Sequence, residues 1–240
     1  MRPARSKALE SLRRKIEEIE AKGNSPASPA VSLGVGPLDA LLPGERLPAG
    51  SLVELLSAAD GAGAWTLGLL MAKHVCGEWK LLVVIDSERC FYPPGAAQLG
   101  IDLERSLVVR PRSGQEALLA TNQALRCAAV GSVIGRHDQL RTLDARRLQA
   151  AAEAGGGVGF VLRSAKALQV PSFANLRLLI APLASRDAAR RYLRVEIVRC
   201  RGGKDGQSVI LEIGNEAGDV CVLPHVAPAT APARKARASG

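Results

Sequence analysis

The chain has 240 residues, 47% of them hydrophobic, which suffices for one full core. A net charge of +9 favours polyanions or acidic partners, while 3% aromatic content argues against binding nucleic acid by serial base stacking. Five scattered cysteines with no Cys-x-x-Cys pair, and only three histidines, argue against a metal site. They predict reduced thiols in a cytoplasmic protein, and no apolar run reaches membrane length.

Residues 1–22 hold an amphipathic helix. Leu9, Leu12, Ile16 and Ile19 step by three, four and three, which puts them on one seam. Such a seam docks on its own domain or on another subunit. Residues 23–32 form a Pro/Ser/Ala linker, a core domain spans 33–224, and the basic Ala/Pro stretch 225–240 reads as a disordered tail.

The core opens with a short helix over 38–42, after Pro37, and with turns at Pro43-Gly44 and Pro48-Ala49-Gly50. An apolar run at 52–56, a small-residue loop at 57–64 and an apolar helix at 65–75 follow. Strand, glycine-containing loop and helix form the setting of a phosphate-binding P-loop, where backbone N–H groups face an anion. A working loop reads GxxxxGK[ST], with Lys on the outer phosphates and a hydroxyl on magnesium. Here Gly63 is followed by Ala64, Trp65 and Thr66. Ser57, Asp60, Gly61, Gly63, Ala64, Trp65 and Thr66 therefore make a nucleotide-binding candidate without its main charge. Lys73 lies roughly 15 Å further along the helix, too far to replace it.

Next come a strand at 81–85 ending in Asp86-Ser87-Glu88, a helix at 93–99, a strand at 107–109 and a helix at 114–130 opened by the Ser113/Glu116 capping box. A very short strand at 132–134, a helix at 143–154 and a strand at 158–162 complete an alternation that predicts parallel strands with helices on both faces. From 176 onward, strands at 176–180, 193–199, 209–213 and 219–223 are joined by short turns at Gly202-Gly203 and 216–218, which predicts an antiparallel extension. Arg190, Arg191, Arg201 and Lys204 flank the second of these strands. They are a candidate surface for DNA or an acidic partner, or else a solvated edge that discourages strand pairing.

Several short matches share one order. Gly36-Pro37-Leu38-Asp39 with Leu47-Pro48-Ala49-Gly50 resembles the run that leads into the P-loop of RecA recombinases. Ile85-Asp86-Ser87-Glu88 with Leu99-Gly100-Ile101-Asp102, then Ser113-Gly114-Gln115-Glu116, then 174–180 and 194–199, resemble its later elements. The resemblance spans about residues 7–215 and implies an α/β, RecA-like P-loop fold: a mostly parallel central sheet, an antiparallel C-terminal extension and an N-terminal helix on a linker. It also implies roles. Glu88 matches the carboxylate that activates water in that family, or is simply a carboxylate complementing a helix start. The strand that should end in a magnesium-holding Asp ends in Gly135-Arg136, with Asp138 beyond it. The two DNA-gripping loops are cut down to about 137–142 and 163–173, and Arg163 stands where the family has a Gln linking ATP to DNA.

A RecA-like chain with these losses is similar to ImuA-type proteins, which are related to SulA. That resemblance implies an accessory role in SOS translesion DNA synthesis, exerted through protein contacts and without ATP hydrolysis; weak ATP binding and direct DNA contact are left open. It implies an ImuB-like polymerase-related protein and RecA as partners, an error-prone replicative-type polymerase indirectly, and no membrane. The alternatives are a divergent RecA/RadA-type ATPase using Glu88 and a SulA-like inhibitor of cell division.

Overall fold

The computed structural model describes residues 29–184, 190–214 and 220–222. The N-terminal seam Leu9, Leu12, Ile16 and Ile19, and the basic tail at 225–240, lie outside the described residues. The chain first pairs β1 (Ala30–Val31) antiparallel with β2 (Leu47–Pro48), across α1 (Gly36–Asp39) and a 3-10 turn at Pro43–Glu45. Residues at the end of the expected linker thus belong to a small two-stranded sheet. Asp39 anchors this entry: its carboxylate accepts from the Ser32 hydroxyl at 2.7 Å and the Leu33 amide at 2.8 Å.

The main body continues as β3 (Leu52–Ser57), α2 (Ala64–Cys76), β4 (Leu81–Ile85), α3 (Pro93–Gln98), β5 (Ser106–Val109), α4 (Gly114–Arg126), β6 (Val130–Arg136), α5 (Thr142–Gly155) and β7 (Val158–Ser164). A 3-10 turn at Ala165–Gln169 leads to β8 (Leu176–Leu183), β9 (Arg190–Cys200), β10 (Ser208–Gly214) and β11 (Val220–Val222). The described strands after β2 form one sheet in the order β11-β10-β9-β8-β3-β7-β6-β4-β5.

The α/β architecture with a mostly parallel sheet is as expected, but the change to antiparallel pairing comes one strand later. β8 lies parallel to β3, and only its pairing with β9 begins the antiparallel region. The segment between β7 and β8 runs back along the sheet without a regular α-helix, which hides this crossover from periodicity. β6 has seven residues rather than the three expected. Gly131, Ser132 and Gly135 depress its strand propensity, yet pairing with β4 on one side and β7 on the other overrides that. α4 stops at Arg126, four residues early, and Ser113 caps it by accepting from the Glu116 amide at 3.2 Å. The hairpin expected at Gly202-Gly203 is a longer connection over 201–207, in which Asp205 accepts from the Cys200 amide.

Alternation along the strands divides the core. Val53, Leu55, Val84, Ile134, Phe160 and Leu162 face Leu67 and Met71 of α2. Leu52, Val83, Ile85, Val133 and Val161 face α4 and α5 through Ala117, Leu125, Leu148 and Ala152. The loop between β3 and α2 therefore emerges at the C-terminal ends of the central parallel strands, where open α/β sheets place their ligands.

Candidate functional site

β3 ends at Ser57, and the loop that follows turns into α2 at Gly63, whose φ of +83° is left-handed and favours glycine. The first turn of α2 holds Ala64, Trp65 and Thr66. Ala64 is 2% exposed and packs into the core, so no cation stands at the head of this helix. Lys73 sits in the last turn and donates to the Leu99 carbonyl at 3.1 Å, away from the loop, as its spacing predicts.

The candidate loop residues Ser57, Gly61, Gly63, Ala64 and Trp65 line a cavity of about 110 Å³, together with Asp86, Glu88 and Arg136. Gly61, Gly63, Trp65 and Thr66 also border a groove of about 520 Å³ walled by Tyr92, Leu99, Leu183 and Leu193. Asp60, exposed in the loop, lines neither. The structure thus gathers most of the loop candidates with Glu88 at one place.

The carboxylates at the end of β4 have separate tasks. Asp86 is buried, and its Oδ1 accepts from the Cys90 amide at 2.8 Å and the Phe91 amide at 3.2 Å. Its Oδ2 takes Arg110 Nε at 3.2 Å. It is a turn-forming residue fixed from three sides. Glu88 is half-exposed and faces Arg136, with Nε 3.7 Å from Glu88 Oε2, while Arg136 Nη1 lies 3.6 Å from Asp138 Oδ2. Asp138 also accepts from the Ser164 amide at 2.7 Å, tying the end of β6 to that of β7. Read as sequence, Arg136 is only a missing carboxylate. Its pairing with Glu88 follows from the β4–β6 register, which sets Ile85 beside Gly135.

Arg163 does not sit at the loop. Leu162 lines the cavity, so its neighbour Arg163 points to the opposite face of the sheet, where it is 3% exposed. There its Nη1 lies 3.3 Å from Glu54 Oε1, and Glu54 Oε2 takes Arg177 Nε at 2.8 Å. Ser172 adds a 2.7 Å hydrogen bond to Glu54, Arg177 reaches the Ala167 carbonyl and Arg163 the Leu140 carbonyl. One buried carboxylate on β3 thereby ties down the segment after β6 and the segment after β7. Arg163, which replaces the resembled family's Gln in the sequence, is thus held by Glu54 on the face of the sheet away from the loop. A Glu in the middle of an otherwise continuous apolar strand, with two later arginines on neighbouring strands, carries that signal in the sequence.

His137 follows Arg136 and is buried, 3.0 Å from the Thr121 hydroxyl, which itself donates to the Ala117 carbonyl. Burial, then the charge of Arg163, push the imidazole down to about 4 from an ordinary value near 6.5. The folded state therefore holds a neutral ring while the unfolded chain takes up a proton between these values. Stability from this residue is complete above about pH 6.5 and falls as pH drops towards about 4. We expect His137→Gln to remove about 2 kcal/mol of the difference in unfolding free energy between pH 7 and pH 5, read by urea titration. Parallel pH profiles in the two proteins would contradict it.

The four basic candidates do not form one patch. Arg190 and Arg191 open β9 and border the groove, and Arg190 pairs with Glu212 at 3.0 Å. Arg201 and Lys204 lie in the connection after β9, an eleven-residue strand, so roughly 35 Å separates the pairs.

No family profile matches the chain. It is 32% identical to the RecA protein of Marinobacter nauticus over 142 residues, covering 56% of this chain and 41% of that protein. It is 31% identical to RecA of Rhodopirellula baltica over 104 residues, or 43% and 28% of the two chains, and 30% identical to RecA of Arthrospira platensis over 138 residues, or 54% and 37%. The fold is RecA-like. The matched segments span about a third of the length of these RecA proteins. Among the described residues, no helix is long and apolar enough to cross a membrane.

Proposed function

We propose that this chain is a RecA-like accessory protein of DNA repair that supports error-prone translesion synthesis through protein contacts and does not turn over ATP. The similarity to RecA supports the setting in DNA repair or recombination. The observation that carries the non-hydrolytic reading is the Arg136–Glu88 pair at a loop whose lysine position is Ala64. Phosphoryl transfer depends on positioned cations and a free water-orienting carboxylate. The magnesium–triphosphate held by P-loop sites does not fit these residues. Asp86 is committed to the turn, Glu88 faces Arg136 at 3.7 Å, and the first turn of the helix itself supplies no lysine. The groove beside the loop is of ligand size, so binding of ATP without turnover is compatible with this reading.

Purified protein is expected to hydrolyse ATP no faster than background, with or without single-stranded DNA. Turnover of about 1 per second, abolished by Glu88→Gln, would favour the divergent ATPase instead. The partners follow from the same proposal: an ImuB-like polymerase-related protein and RecA, engaged through the seam of Leu9, Leu12, Ile16 and Ile19. Ile16→Glu should reduce their capture while the core still melts cooperatively, because an unpaired charge in an apolar contact is costly.

Direct contact with DNA is an expectation attached to the exposed Arg201 and Lys204. Replacing both with Ser should lower the slope of log affinity against log salt by about 1.4 on single-stranded DNA. Replacing Arg190 and Arg191 should lower it by about 1, since Arg190 already engages Glu212. Unchanged slopes in fluorescence anisotropy, or no binding at low salt, would remove DNA from the list of partners.

A further inference from the structure

Arg136 projects from the end of β6 into the cavity at the loop and bridges Glu88, which follows β4, to Asp138, which follows β6. In P-loop enzymes a divalent ion occupies this junction, between the phosphates and a strand-end carboxylate. We propose that Arg136 is a built-in cation that takes the place of the divalent ion and closes the loop to magnesium–nucleotide. The proposal rests on the reading of this loop as a vestigial nucleotide site.

Three features assign the role to this one side chain. A guanidinium stays charged at every accessible pH, so it permanently offsets one of the two negative charges it lies between. No carboxylate can take its place one residue earlier, because a Cβ on Gly135 would lie 2.8 Å from the Cβ of Ile85. Asp86 cannot act as a substitute ligand, since its two oxygens already accept from Cys90, Phe91 and Arg110. Removing the guanidinium would take from Glu88 and Asp138 the counter-ion they share.

The test uses the full chain, Mn²⁺ followed by electron paramagnetic resonance, and thermal melts with magnesium and ATP. The wild type should bind Mn²⁺ no better than millimolar and show no rise in melting temperature. Arg136→Ser should gain Mn²⁺ affinity by at least roughly tenfold, and Arg136→Gln, which keeps the length of the side chain, should do the same if the shorter variant fails to fold. Arg136→Lys should behave like the wild type. A wild type stabilised by magnesium–ATP overturns the proposal, and so does a folded Arg136→Gln that gains no Mn²⁺. A wild type that binds the nucleotide without hydrolysing it would sink this inference alone and leave the accessory role standing, since that role is decided by turnover and partner capture.

Discussion

Replacing Glu54 with Ala is expected to destabilise the protein by about 3–5 kcal/mol, a large share of the roughly 5–15 kcal/mol that holds a domain folded. Glu54 is fully buried in the strand that leads into the loop, and its two oxygens each meet one buried guanidinium, Arg163 and Arg177, as the only carboxylate paired with either among the described residues. Alanine would leave two guanidinium groups in a low-dielectric layer with only carbonyl partners, at Leu140 and Ala167. Arg163 Nε already lacks a partner there. The cost comes from the charges left behind more than from the lost attraction, so Glu54→Leu combined with Arg163→Met and Arg177→Met should recover much of it. Urea denaturation measures both. A loss below about 1 kcal/mol in the single variant would mean that water reaches the arginines through the segment at 165–175.

The second large effect is expected at Gly50, where the chain turns into β3. Its φ is +74°, and an added Cβ would lie 2.8 Å from both the Ala152 carbonyl oxygen and Glu153 Cα of α5. Backbone atoms cannot rotate aside as a side chain can. Gly50→Ala therefore combines a left-handed conformation, which costs about 1 kcal/mol, with displacement of the end of α5, about 1–3 kcal/mol more. The same displacement loosens Gln149, which donates to the Gly50 carbonyl and accepts from the Leu52 amide. A variant as stable as the wild type would show that α5 yields freely at its C-terminal end.

These two positions show what the sequence reveals and where it stops. Gly50 is legible as a turn from Pro48-Ala49-Gly50, but the pressure of α5 on it is a contact between residues about a hundred positions apart. The strands β3, β4 and β7 are legible because buried parallel strands are continuous apolar runs, and α4 because Ser113 and Glu116 mark its start. The length of β6 is not, since glycines and a serine occupy it and only its two neighbours make it a strand. At the site, the missing lysine can be read directly from Ala64. The Arg136–Glu88 pair, and the turning of Arg163 towards Glu54, depend on strand register and pleat, which a short strand at 132–134 does not determine.

The position of β3 within the sheet also bears on how the chain is made. Leu52 pairs with Gly159 on one side, and Val53 with Leu176 on the other, while β4, β5 and β6 pair among themselves. During synthesis the early strand at the heart of the molecule thus waits with both edges bare until about a hundred further residues have followed it. Such delayed, long-range closure slows folding and exposes a sticky intermediate. A ribosome-bound chain halted before Val158 is expected to be captured by chaperones, and one extended past Leu183 to be released from them with β3 enclosed.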